Sequence, residues 1–139
     1  MAYNEHGQEI SEAASATIEV TSAAELGSGG FTSYEMVTTT GVTVTVTGHG
    51  STTTSTNTNS PTFQVVSGDE TATANFLQIC INANSHLIAT RDGDVVTITQ
   101  AVPGTTGNTT ITVTDPGSDG STVQNFSGGS GPIPWGYSR

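Results

Sequence analysis

Few side chains in this sequence could do chemistry, and their spacing argues against most of it. His6, His49 and His86 lie far apart in polar stretches, without the short intervals that metal ligands need. Cys80 is the only cysteine, so no intrachain disulfide can form. It sits between Ile79 and Ile81 with no cation nearby to lower its pKa, which reads as a buried, inert thiol. Asp92-Gly93-Asp94 and Asp115-Pro116-Gly117-Ser118-Asp119-Gly120 offer the oxygen ligands calcium takes. Neither has EF-hand spacing, and both make good turns. The glycine clusters at 27–30 and 128–131 lack the lysine and the strand-to-helix setting of a phosphate loop. The acids concentrate in turns and in the first dozen residues, where solvation accounts for them. The expectation is a protein without catalytic residues, metal ligands or cofactor, and therefore not an enzyme.

The charge balance narrows the class further. Twelve acids face two cations, Arg91 and Arg139, and the formal charge is −10. Nucleic-acid binding needs clustered lysine or arginine to displace counterions, and an anionic membrane surface asks for the same. Neither partner is expected. The opening MAYNEHGQEI has no basic stretch followed by an apolar run, and no window approaches a membrane span, so synthesis in a cytoplasm is expected. Hydrophobic residues make up 32% and charged residues 10%, the latter well below the usual ~25%. Threonine fills the gap, at about one residue in five. A β-branched side chain suits a pleated, half-exposed surface, so the composition points to sheet with a polar, uncharged face.

The elements follow from periodicity. Residues 16–21 alternate Ala16, Ile18 and Val20 with polar neighbours, as a strand does. Residues 34–48 read as a strand with Val42, Val44 and Val46 on a dry face and Thr43, Thr45 and Thr47 on a wet one. The polar run 49–60 reads as a projecting loop, and strand character resumes at 61–66. Ser67-x-x-Glu70 matches a capping box, predicting one helix over about 70–84. Its core face is expected to carry Phe76, Leu77, Cys80 and Ile81, together with Ala72, Ile79 and Ala83. Residues 86–100 read as a hairpin with Asp92-Gly93 as the turn pair, and 109–114 and 122–126 as further strands. The predicted fold is α+β: a small antiparallel β-sheet domain over 16–126 with one packed helix. An N-terminal arm (1–15) precedes it, and a glycine-rich flexible joint with an extended tail (127–139) follows. Ile133, Trp135 and Tyr137 alternate in that tail and are expected to anchor in a partner surface, since aromatics bury much area at low entropic cost.

The run from Asn75 to Val113 also resembles a module of tailed-phage virion proteins. The matching residues are Ile81-Asn82-Ala83, Val95-Val96-Thr97-Ile98-Thr99-Gln100, Gly104, Gly107-Asn108 and Thr110-Ile111-Thr112. Asn125-Phe126-Ser127-Gly128-Gly129 is similar to the module's closing phrase. Cys80 stands where the module commonly has alanine. The resemblance covers a little under half the chain and brings no catalytic residues. It implies a virion structural protein, made in the cytoplasm of a bacterial host and located in the particle. Small size, a single module and two arms favour a capsid decoration or cement protein on the outer shell. Its partners would be the major capsid protein or other virion subunits, and a homo-oligomer such as a trimer is expected. The alternatives are a tail, collar or fibre-associated subunit, or a host-glycan-binding module.

Overall fold

The computed structural model describes residues 2–3, 9–26, 30–50, 61–115 and 120–133. Within them the chain is α+β. β1 (Ala2–Tyr3) pairs with β2 (Glu9–Ile10) as a small ribbon. The body is built from β3 (Ser15–Val20), β4 (Thr32–Val37), β5 (Thr43–His49) and β6 (Thr62–Gln64), then helix α1 (Glu70–Asn82). β7 (Leu87–Asp92), β8 (Val95–Gln100), β9 (Thr112–Thr114) and β10 (Ser121–Ser127) complete it. One sheet runs β10-β3-β8-β7 and the other β6-β5-β4-β9. All pairings are antiparallel except β5 with β6, which is parallel.

Alternation along the strands supplies a shared core. Ala16, Ile18, Val20, Val96 and Ile98 turn inward from one sheet, and Tyr34, Met36, Val44, Val46 and Phe63 from the other. The opposite side of β3 and its neighbours carries cross-strand polar rows, such as Gln124–Thr17–Thr97–Thr90, in a register that keeps threonine beside threonine. This explains how so low a hydrophobic fraction suffices: roughly every second strand residue is spent on a wet face. The helix joins edge strand β6 to edge strand β7 and packs chiefly against those two, closing one side of the sandwich. On the other side β10 meets the approach to β9, where Phe126 N–H donates to Thr109 O (3.0 Å) and Ile111 N–H donates to Asn125 Oδ1 (2.9 Å).

Several local expectations need correction. The segment 34–48 is a hairpin: β4 and β5 pair from Thr32↔Gly48 to Val37↔Thr43, around a turn at Thr38–Val42 with Gly41 at φ +89°. Val42 belongs to that turn and is 37% exposed, while Val44 and Val46 are buried. The β7–β8 loop consists of Gly93-Asp94, since Asp92 pairs with Val95, and Gly93 takes φ +61°. The helix begins two residues later than a Ser67 cap requires. Asp69 is the N-cap, its Oδ1 accepting from Ala72 N–H at 2.9 Å, while Ser67 lies outside the helix. Glu70, the first helical residue, accepts instead from Ala23 N–H (3.1 Å) and so ties the helix start to the turn after β3. The buried stripe is Thr73, Ala74, Leu77, Cys80 and Ile81. Phe76 is only partly buried at its edge and Ile79 is 39% exposed, because the helix is rotated to face β6 as well as β7.

The edge of β7 is sealed by the helix. Ala89 N–H donates to Asn82 Oδ1 (3.1 Å), Gln78 Nε2 donates to Ala89 O (3.3 Å), and Leu87 N–H donates to Asn84 O (3.3 Å). Backbone groups that would otherwise invite another strand are satisfied in place.

Candidate functional site

The densest polar construction in the body surrounds Gln100, the last residue of β8, which is 1% exposed. Its Nε2 donates to Val37 O (3.1 Å) and Gly107 O (3.3 Å), and its Oε1 accepts from Thr39 N–H (3.3 Å). One buried amide thus joins the end of β4, the following turn and the loop after β8. Threonine hydroxyls finish the joint: Thr39 to Val102 O (2.6 Å), Thr106 to Thr39 O (2.9 Å) and Thr109 to Val37 O (2.7 Å). Close approach here needs glycine. A Cβ on Gly107 would stand 2.7 Å from Thr39 Oγ1.

Two segments near the ends of the chain, 11–14 and 129–132, are bound to this joint. Ala14 is fully buried and its carbonyl accepts from Gln100 N–H (2.9 Å). Glu12 and Ser130 exchange backbone hydrogen bonds (3.0 and 3.1 Å), and Glu12 O also accepts from Gly104 N–H (3.0 Å). Asn108 and Gly129 form a reciprocal pair, side-chain amide to backbone, at 2.9 and 2.8 Å. Thr105 N–H donates to Gly131 O (2.9 Å), and the Ser11 hydroxyl donates to Pro132 O (2.6 Å). The glycine-rich stretch after β10, expected as a flexible joint, is therefore fastened through residue 132. Its glycines serve contact: a Cβ on Gly129 would lie 2.5 Å from Gly104 O, and Gly131 sits at φ +76°. Likewise residues 11–14, expected within the N-terminal arm, pack on the body.

Part of the sequence resemblance thus comes together. Gln100, Gly104, Gly107, Asn108 and Gly129 are members of one joint, and their roles are structural. Sequence reasoning missed Glu12, Ala14, Thr39 and Ser130, whose contributions are mostly backbone groups and leave no side-chain signature. Of the expected anchor, Ile133 lies half-buried against Gly104, while Trp135 and Tyr137 lie outside the described residues, as do His6 and 51–60.

Groups with chemical potential are subdued. Cys80 is buried, and burial pushes its thiol up to about 12. Tyr34 is fully buried, stacked 6.1 Å from Phe63, with its hydroxyl donating to Ser121 Oγ (2.7 Å). Burial drives its phenol well above the usual range; the Ser121 bond opposes this and the Asp115 charge adds to it. Asp115 itself accepts from Gly120 N–H (3.1 Å) and the Thr32 hydroxyl (3.3 Å), joining the end of β9 to the approach to β10 and the start of β4. Among the described residues, no three His, Cys, Asp or Glu gather as a ligand set, and no helix is long and apolar enough to cross a membrane.

A second surface feature lies at the other end of the molecule. A shallow cleft of about 200 Å³ is lined by Ala23, Leu26, His49, Gly50, Val65 and Ser67. At its His49 wall Phe31, 54% exposed, packs on the imidazole with ring centroids 4.9 Å apart. The signal for it in the sequence was one aromatic after a glycine run, too little to single out. Comparison with protein-family models, curated proteins and solved structures finds no match to this chain.

Proposed function

We propose that this chain is a structural protein of a tailed-phage virion, acting as a capsid decoration or cement subunit on the outer shell. The observation that carries the reading is the joint around Gln100. Five of the residues that carry the resemblance to phage virion modules, Gln100, Gly104, Gly107, Asn108 and Gly129, meet in that joint, while the others lie in or beside α1, β8, β9 and β10. A resemblance arising by chance from threonine-rich composition has no reason to place these five in one hydrogen-bonded construction. The rest of the molecule supports the reading through its two packed sheets, threonine-rich faces and buried reactive groups, which suit a protein that works by occupying a surface. The test is to purify particles by density gradient, separate heads from tails and count copies. A capsid role gives copies in the hundreds with the heads. Recovery with tails alone assigns a tail, collar or fibre-associated subunit, and absence from particles overturns the reading.

A second reading rests on the Phe31–His49 pair. An exposed ring face beside a small uncharged cleft is the arrangement on which a sugar ring stacks. Binding on a glycan array that is lost in Phe31→Ala would favour it over the shell role.

A further inference from the structure

We propose that the cleft between the turn after β3 and the segment joining β6 to α1 is a docking site for a basic side chain, arginine above all, presented by a partner protein. This rests on the reading above that the chain works by attachment to another protein, and it adds where the attachment occurs and which side chain it receives.

The cleft is a built feature. Ser22 O accepts from Leu26 N–H (3.0 Å) and Ser22 Oγ accepts from Glu25 N–H (3.3 Å), which closes the turn after β3. Ala23, Leu26 and Val65 are buried and form the floor, while Ala24 and Ser67 are exposed at its edge. The facing wall is His49, at the end of β5, with the exposed Phe31 ring packed on it. Val65 N–H donates to His49 O (3.2 Å) and so ties wall to floor. A volume of about 200 Å³ falls below the ~300–1,000 Å³ of small-molecule sites and suits a single long side chain.

The lining is uncharged, but the rim is acidic. Glu70 accepts through its carboxylate from the N–H of Ala23, a lining residue (3.1 Å). Glu25 is exposed between Ala24 and Leu26, and Asp69 is exposed two residues beyond Ser67. Arg91, the one cation among the described residues, donates to Gly93 O (3.0 Å) in the β7–β8 turn, where Asp92 and Asp94 offset it. The opposite end of the body differs in kind, since its segments 38–42, 101–110 and 127–133 contain no charged residue. An aliphatic stem with a cationic head matches both parts of the cleft. Its methylenes cover the apolar floor while the head stays at the wet rim beside the carboxylates. A guanidinium adds a flat face to stack on Phe31 and a fork of donors that meets a carboxylate with two bonds. A second copy is ill suited, because the whole chain offers only Arg91 and Arg139 against a net charge of −10. A neutral sugar would use the ring and leave the carboxylates idle.

The experiment titrates the isotope-labelled full chain with capped Gly-Gly-Arg-Gly-Gly and its lysine and glutamate counterparts, reading amide chemical shifts. The expected result is saturable shifts at Ala24, Leu26, Phe31 and Gly50, with the arginine peptide about tenfold tighter than the glutamate one and lysine between them. Phe31→Ala should weaken the arginine peptide several-fold and the lysine peptide less. Glu25→Gln with Asp69→Asn should weaken both several-fold, and asparagine keeps the helix cap. Glu19→Gln with Asp92→Asn removes the same charge away from the cleft and should change little. Equal loss from the two pairs, shifts confined to the β7–β8 turn, or no shift at millimolar peptide overturns the proposal. Shifts at the cleft with maltose but not with the arginine peptide assign it to sugar, and shifts that grow with protein concentration alone assign it to a second copy; either overturns the proposal. Arginine capture by a chain absent from particles would sink the virion reading and leave the cleft standing. A chain abundant on heads but indifferent to the peptides would do the reverse.

Discussion

The Cys80 thiol, held beneath the helix at 1% exposure, shows how burial sets what a side chain can do in this molecule. Its folded pKa of about 12 exceeds the ordinary 9.0, so the native state holds the proton more tightly than the unfolded one. The stabilisation is complete below about pH 9 and is lost as pH rises toward 12, the same sign as for Tyr34. Urea unfolding should therefore show stability falling across that window, less steeply in Cys80→Ala, and alkylation of the native thiol should wait on unfolding. Helix capping gives a second residue-scale expectation. Asp69→Ala should cost about 1 kcal/mol in denaturant melts, whereas Ser67→Ala should change little. Both residues are good caps by type, and sequence alone favours Ser67 because Glu70 completes the box. The structure resolves the competition through Ala23, whose N–H takes the Glu70 carboxylate for a tertiary bond. That partner is 47 residues away, so no local pattern could have announced it.

At the scale of elements, what alternated was legible. Ala16, Ile18 and Val20, or Val96 and Ile98, declare a face because a strand has only two. The turn inside 34–48 was less legible, since Thr38, Thr39 and Thr40 continue the strand's composition through a bend in which all three are buried. Only Gly41 marked the place. The loop after β8 carries only turn signals in the sequence, yet Gln100 makes it the joint between sheets. Gln100→Leu fills similar volume but leaves Val37 O, Gly107 O and Thr39 N–H without their partner. It should destabilise by roughly 2–4 kcal/mol in equilibrium unfolding, from the penalty on buried unpaired groups. The β5–β6 pair offers a sharper geometric case. Phe63 lies over Gly48 so closely that a Cβ would fall 2.3 Å from its ring. Gly48→Ala should cost about 1–3 kcal/mol, and Phe63→Leu in the same chain should recover part of it in a double-mutant cycle.

For the molecule as a whole, composition and periodicity were enough for the α+β class with one helix, because each depends on averages over many residues. The ends were misread for the opposite reason. Residues 11–14 and 128–132 are held by hydrogen bonds, mostly through backbone groups, to each other and to the loop after β8, and glycine there signals contact as readily as freedom. The correction changes how the tail should be cut. Removing 129–139 should lower the melting temperature markedly, since Asn108 and Glu12 lose their partners. The Glu12–Ser130 pairing also makes this linear polymer almost a ring. In an antiparallel pair the two Cα atoms stand about 5 Å apart, so a few glycines could join Ile133 to Ser11. New termini could then be opened between Gly93 and Asp94, giving a circular permutant. It should fold and melt close to the parent, with its free ends moved to the opposite end of the body, where a fused cargo would leave beside the β7–β8 turn.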